Sequence, residues 1–304
     1  MTPVSSRHNR SLAKSAGPRE QGWQRREAGK VVTDAVARQF VAARLSAQAL
    51  PAFPGVLPAD LATGYLHQEA AIALFPDEII GWKIGRVGPE FEDRFGRSRL
   101  AGPIFRRGLR HANGSEPVAF PVFKGGFAAV EAEFVFSLGS DAPARKTTWS
   151  VDEARDLIAA MHIGIETAGS PLATINALGP TALVSDFGNN AGLILGPSVA
   201  DWRRYPDTAL TCETFVEARS VGTGAAADLP GGPVEALRFL LEHCAQRGRP
   251  LKAGMLISTG AATGIHEISV GQHARVDFRA LGAIECVAVA AKPEAGGISR
   301  AARS

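Results

Sequence analysis

The stretch Val130-Glu131-Ala132-Glu133-Phe134-Val135-Phe136-Ser137-Leu138 decides how the chain is read. Side chains alternate faces along a strand, so Val130, Ala132, Phe134, Phe136 and Leu138 make one unbroken apolar face. Glu131, Glu133, Val135 and Ser137 make the other. The two carboxylates then point the same way, with Cα atoms about 7 Å apart from a rise of about 3.3 Å per residue. Like charges that close push a pKa up or call for a cation between them. Ligand sets made of oxygen alone favour hard ions, Mg²⁺ or Mn²⁺, over zinc. A strand face wetted by solvent would carry the same Glu-x-Glu pattern. Against it, Glu is a poor strand former, and Val135 continues the face.

A third acid lies downstream in Met161-His162-Ile163-Gly164-Ile165-Glu166-Thr167. Ile163 and Ile165 share one face of this predicted strand, and His162, Gly164 and Glu166 share the other. Glu166 ends the strand, where it either faces solvent or completes a ligand set with Glu131 and Glu133. His162 has no partner at ligand spacing and is read as a core residue or a support.

The surrounding sequence is that of a globular protein: 304 residues, 45% hydrophobic and 21% charged. No run of eighteen apolar residues occurs, so no membrane-spanning segment is expected. Cys212, Cys244 and Cys286 are far apart and form no CxxC, which fits a reducing cytoplasm better than a disulfide framework or zinc site. The net charge of +3 is carried by one end. Residues 1–30 hold seven Lys/Arg against Glu20 and Glu27, a net +5 that leaves the rest at −2. A slightly acidic body has no electrostatic footprint for nucleic acid.

Residues 1–30 lack apolar periodicity and are read as a disordered basic tail. An N-terminal helical region is expected over 31–76. Val36, Phe40 and Ala43 share one helix face before Pro51, and a second helix runs from about Ala59 to Leu74. The remainder, 77–292, reads as one catalytic domain, followed by a flexible tail, 293–304. Strands are expected at Ile79–Ile84, Val118–Phe120, Val130–Leu138, Ile163–Glu166, Leu193–Leu195, Thr211–Ala218, Met255–Thr259, His273–Phe278 and Gly282–Val289. Ser150-Val151-Asp152-Glu153 is a capping box opening a helix expected to reach Met161. Another helix is expected with Pro233 at its first position. Many strands with few, irregularly placed helices indicate α+β with a mixed, mostly antiparallel sheet.

In order along the chain come Gly81-Trp82-Lys83-Ile84-Gly85, Gly102-Pro103-Ile104-Phe105, Val130-Glu131-Ala132-Glu133 and Ile165-Glu166. The Ser185-Asp186 to Gly196 stretch follows, then Leu251-Lys252-Ala253-Gly254 leading into Ser258-Thr259-Gly260-Ala261-Ala262-Thr263-Gly264. Taken together, over about residues 33–290, these resemble the fumarylacetoacetate hydrolase superfamily. The likeness is to its 2-oxopent-4-enoate hydratase and 4-oxalocrotonate decarboxylase branch. The resemblance implies that Glu131, Glu133 and Glu166 hold Mg²⁺ or Mn²⁺, and that Lys83 and Asp186 serve catalysis. It also implies that Thr259, Gly260 and Thr263 contact substrate. The substrate would be a small 2-oxo or 2-hydroxydienoic acid of the kind met in aromatic catabolism, and the assembly a homo-oligomer.

Two departures touch the substrate side. The branch carries an acid two positions before the Gly of Gly102-Pro103, where this chain has Leu100. Its Asp-Asn-Ala-Ser-Ser stretch reads Asp186-Phe187-Gly188-Asn189-Asn190 here. A hydratase of 2-hydroxy-2,4-dienoates is the leading expectation. A decarboxylase on the same scaffold is the first alternative. A C–C bond hydrolase would need a His–Glu pair facing the metal, and a non-catalytic partner subunit is the reading that the loss at Leu100 keeps open.

Overall fold

The computed structural model describes residues 33, 35–114 and 116–294. The expected basic tail, 1–30, and most of the expected C-terminal segment, 293–304, lie outside them. Helices α1 (residues 35–46) and α2 (Leu61–Leu74) come first, α2 being capped by the Asp60 carboxylate, which accepts from the Thr63 amide at 2.7 Å. The chain continues β1 (Ile79–Arg86), α3 (Pro89–Phe95), β2 (Arg99–Phe105), β3 (Leu109–His111), β4 (Val118–Val122) and β5 (Phe127–Leu138). Next are α4 (Val151–Asp156), β6 (Ile158–Ser170), α5 (Pro180–Ser185), β7 (Asn190–Ser198), β8 (Thr211–Val216) and β9 (Arg219–Ala225). Helix α6 (Gly232–Gln246) and strands β10 (Leu256–Ser258), β11 (His266–Glu267), β12 (His273–Asp277) and β13 (Ala283–Ala290) complete it. Among the described residues no helix is long and apolar enough to cross a membrane.

Two sheets form the body. One runs β2-β1-β10-β5-β6-β7-β3, with β11 added against β5, and the other runs β4-β13-β12-β8-β9. Among the named strands of the described residues, only β1/β10, β4/β13 and β3/β7 pair in parallel, so the architecture is α+β with a mixed, mostly antiparallel core. The apolar face of β5 behaves as its alternation dictates. Val130, Ala132, Phe134, Phe136 and Leu138 pack in the main core with Val276, Ile284 and Cys286 of the second sheet and with Leu237 and Leu240 of α6. Burying a Phe or Leu there is worth roughly 1.5–3 kcal/mol each.

The opposite face of β5 is buried as well. At its start, Phe127 and Ala129 pack under Val36 and Phe40 of α1, together with Leu172 and Ala182. At its far end, Val135 packs with Ile104, Leu193 and Leu256. Glu131 and Glu133 lie between these two apolar patches. Helices α1 and α5 therefore cover the start of this face.

Three local expectations are corrected. The capping box at Ser150 is present, but α4 ends at Asp156 and β6 starts at Ile158 instead of following Met161. The twelve-residue β5 supplies a ladder long enough to draw Ile158 to Met161 into pairing. The expected strand Thr211–Ala218 is a hairpin, β8 and β9, turning at Glu217 and Ala218 with φ of 49° and 61°. Those are the positive angles a two-residue hairpin needs, adopted without an Asn or Gly to announce them. Helix α6 starts at Gly232, which places Pro233 second, not first.

Candidate metal centre and active site

Glu131 and Glu133 lie two apart on β5, and Glu166 on β6 is the direct cross-strand partner of Glu131. The β5–β6 register thus puts all three carboxylates on one patch. Each offers an oxygen within 4.8 Å of the others. They are buried, Glu133 and Glu166 completely and Glu131 to 6% exposure.

The local supports are specific. Ser258 Oγ at the end of β10 donates to Glu133 Oε2 at 2.5 Å, and the Gly260 amide donates to the same oxygen at 2.8 Å. Gly260 reaches that position with φ of +126°, a backbone angle closed to most side chains. Asn190 Nδ2 donates to Glu166 Oε1 at 3.1 Å, and Lys83 Nζ stands 3.1 Å from the same oxygen. Glu133 Oε1 and Glu166 Oε2 remain buried with no hydrogen-bond partner among the described residues.

Electrostatics follow from that packing. Burial pushes the Glu131 carboxyl up to about 8, with Glu166 adding repulsion and Lys83 opposing it. Burial and the other two acids hold Glu133 well above the usual carboxylate range, partly offset by Ser258 and Gly260. Burial pulls the Lys83 ammonium down, but Glu166, Glu131 and Glu133 together outweigh it and keep it above the ordinary lysine value. One ammonium balances one of three carboxylates. Two orphaned buried oxygens and two uncompensated acids fit a divalent cation, and an all-oxygen set fits a hard one. The buried triple carboxylate can therefore hold a divalent metal.

A cavity of about 580 Å³ opens over this patch. Lys83 and Glu131 line its polar end, with Thr259 and Gly260 beside them. Ile84, Leu100, Phe91 and Leu183 supply an apolar wall, and Asn176 and Asn189 a polar spot. Leu100 lies directly across from Gly85 on the β1–β2 ladder, 1% exposed, on the same wall as Lys83. Among the described residues no histidine lines the cavity.

Two residues singled out from sequence lie elsewhere. Asp186 is buried and takes no part in the cavity wall; Arg44 Nε on α1 donates to its Oδ1 at 2.6 Å and Ser170 Oγ to its Oδ2 at 2.6 Å. Arg44 also donates to the carbonyls of Asn190 and Gly169, at 3.0 Å each, so the pair pins the turn that carries Asn190. Thr263 is not among the residues that line the cavity, its hydroxyl standing 2.8 Å from Thr214 Oγ1 and 3.2 Å from His266 Nε2. Thr259 lines the cavity while its hydroxyl donates to the Phe134 carbonyl at 2.6 Å.

The departure at Phe187 has a packing explanation. Phe187, Gly188 and Asn189 all have positive φ, and this tight turn presses its backbone onto Gly102. A Cβ at Gly102 would sit 1.9 Å from the Phe187 carbonyl oxygen, so glycine is required. The Phe187 ring fills the space between Phe75 and Phe105 and lies under the Arg44 guanidinium. Ser258, Asn190 and Arg44 were not identified from sequence as parts of the centre. Arg44 had a signal, a lone charge on the apolar stripe of α1.

The fold recurs in known structures. The 4-oxalocrotonate decarboxylase from Pseudomonas putida G7, complexed with magnesium and adipate, superposes with a TM-score of 0.70, covering 92% of this chain and 100% of that one at 18% identity. The chain has the fumarylacetoacetate hydrolase-like fold. Fumarylpyruvate hydrolase from Pseudomonas aeruginosa, in complex with Mn²⁺ and pyruvate, matches this fold more loosely. Its TM-score is 0.51 at 14% identity, over 71% of this chain and 91% of that one. A second form of the P. putida decarboxylase, complexed with calcium and acetate, gives 0.67 at 18% identity and the same coverage as the first. No family model matches the chain. At these identities the fumarylacetoacetate hydrolase-like fold is what the likeness carries.

Proposed function

We propose that the protein is a divalent-cation-dependent lyase acting on a conjugated 2-oxo acid or its 2-hydroxydienoate tautomer. The observation that carries this reading is the buried carboxylate triad, with two orphaned oxygens, at the polar end of a 580 Å³ cavity that also presents Lys83. Glu131, Glu133 and Glu166 would hold the cation, preferably Mg²⁺ or Mn²⁺. A cation bound there supplies Lewis-acid stabilisation of negative charge developing on the substrate's 2-oxygen.

The chain's own groups do the rest. Lys83 Nζ presents a proton to the cavity and pairs with an anionic oxygen or carbon of the substrate. Glu166 and Asn190 fix where that ammonium and its acid partner sit. Leu100, Ile84 and Phe91 strip water from the conjugated tail of the substrate. Arg86 and Arg99 also line the cavity and would hold the substrate's distal carboxylate; as it departs as CO₂, the electron pair of the broken C–C bond delocalises through the conjugated chain toward the 2-oxygen.

Leu100, standing where the branch carries an acid, favours decarboxylation over the hydration expected first from sequence. Adding water at C4 needs a group to activate the water, and Leu100 occupies the position of the branch's acid. Glu90 and Asp228 line only the exposed part of the cavity, and the Asp228 carboxylate already accepts from the Ala225 amide at 2.7 Å. Decarboxylation needs one proton donor, and Lys83 is one. The decarboxylase of the same fold supports this choice. Hydration remains the second reading, with Lys83 handling protons and water entering from the open side. The hydrolase reading is weaker because, among the described residues, no histidine lines the cavity.

The test is to supply the purified protein with Mg²⁺ and, separately, a 2-oxo-3-enedioate and a 2-hydroxy-2,4-dienoate. CO₂ release from the first is expected. Turnover of only the second makes it a hydratase, and inertness toward both removes the lyase reading.

A further inference from the structure

A second cavity, of about 600 Å³, lies between α2, the end of α3 and the C-terminal half of α6; it shares Arg99 with the first and contains none of the three carboxylates. Its size is that of a small-molecule site. Tyr65, Phe95, Phe239 and His243 give it aromatic walls. Phe239 and His243 stack at 5.4 Å with planes 15° apart, and Tyr65 meets His243 at 4.7 Å. Phe239 and His243 therefore lie in nearly parallel planes, with Tyr65 tilted 53° against the imidazole.

The charge around it is unbalanced. Four arginines, Arg94, Arg97, Arg99 and Arg247, face two acids, Asp60 and Glu69. Both acids are committed: Asp60 caps α2, and Glu69 is shared by Arg247 and Arg249. Arg94 and Arg97 are exposed and have no carboxylate partner among the described residues. Arg247 keeps a buried Nε without a hydrogen-bond partner. The cationic field is felt by His243, which burial, Arg247 and Arg97 together hold down at about 3, so its ring is neutral, with Nε2 3.4 Å from the Arg247 guanidinium.

We propose that this cavity is a binding site for a planar aromatic carboxylate, its ring laid on Phe239 and His243 and its carboxylate met by Arg97 and Arg94. Arginine suits the role because its planar fork pairs bidentately with a carboxylate and tolerates aromatic neighbours. Offset ring stacking contributes about 0.5–1.5 kcal/mol beyond area burial, so ring and charge both count.

The test uses the full chain treated with EDTA, so that no cation remains in the carboxylate triad to chelate the probe. Benzoate is titrated by calorimetry beside cyclohexanecarboxylate, with equal charge and no aromatic face, and benzamide, with the ring and no charge. Saturable binding of benzoate to one site per chain is expected, weaker for both comparison compounds. Arg97→Ala should weaken it about tenfold or more, Phe239→Leu should weaken it too, and Lys83→Met should leave it unchanged. Absence of saturable benzoate binding up to about 10 mM overturns the proposal. So does binding that Lys83→Met abolishes and Arg97→Ala spares, which would put the probe in the main cavity. Equal affinity for cyclohexanecarboxylate would refute the aromatic part.

Discussion

Arg44 Nε lies 2.6 Å from Asp186 Oδ1, and this ion pair is almost wholly shut away from solvent. It joins the first described helix to the turn that delivers Asn190 to Glu166. Removing one partner strands the other charge in a low-dielectric interior, at a typical cost of about 3–5 kcal/mol. Asp186→Ala is therefore expected to lower stability by that order in urea unfolding. The double change Arg44→Met with Asp186→Leu should recover much of it. Full stability with a selective loss of turnover in Asp186→Ala would restore the catalytic role expected from sequence.

Lys83→Met should bind Mg²⁺ at least as tightly as the parent, because it removes a positive charge 3.1 Å from Glu166, and should fold normally with Mg²⁺ bound, whereas without metal it should be less stable than the metal-free parent. Turnover should fall about 10²–10⁴-fold, the usual worth of a positioned acid–base group. Full activity in this variant would make Lys83 a structural counter-charge.

Glu133→Gln should fail differently. Mg²⁺ affinity should drop about 10–100-fold or more, with activity partly recovered at high Mg²⁺. The metal-free variant should melt above the metal-free parent, since one repelling buried acid is gone. A lower melting temperature without metal would show that Glu133 contributes to the fold through Ser258 and Gly260.

Metal-free stability should fall as pH rises. Glu131 titrates near 8 in the folded protein and near 4.5 unfolded, so between these values the folded state binds more protons. Stability then declines with increasing pH, by up to about 1.4 kcal/mol per pH unit for each such group, and Glu133 acts in the same direction. Saturating Mg²⁺ should cancel the decline, and calorimetry in buffers of different ionisation enthalpy should detect protons released on binding. A melting temperature flat from pH 5 to 8 without metal would contradict the burial of these acids.

Alternation along Val130–Leu138 gave both faces of β5, and the apolar half of that reading holds residue for residue in the main core. It could not say that the acidic half is also covered, because the cover comes from α1 and α5, far off in sequence. Period-two patterns likewise missed β2, which carries Gly and Pro and is buried on both sides, and β9, whose Gly-rich sequence has no alternation. Glu166 was read as a strand-end acid, whereas β6 runs on to Ser170 and holds it in the strand interior; its place opposite Glu131 depends on register, which no single segment encodes. Asp186 and Thr263 were named through motif likeness, and their contacts are set by Arg44 and Thr214 instead.

The pairing of Glu131 opposite Glu166 also bears on how the chain finds its structure. A one-residue slip between β5 and β6 would send Glu166 to the far side of the sheet and an isoleucine or threonine into its place. Only the correctly aligned ladder assembles three carboxylates, so only that ladder gains free energy from a cation. Mg²⁺ present during refolding would thus act as a proofreader of strand alignment, enriching the native pairing over its slipped competitors before any substrate is met.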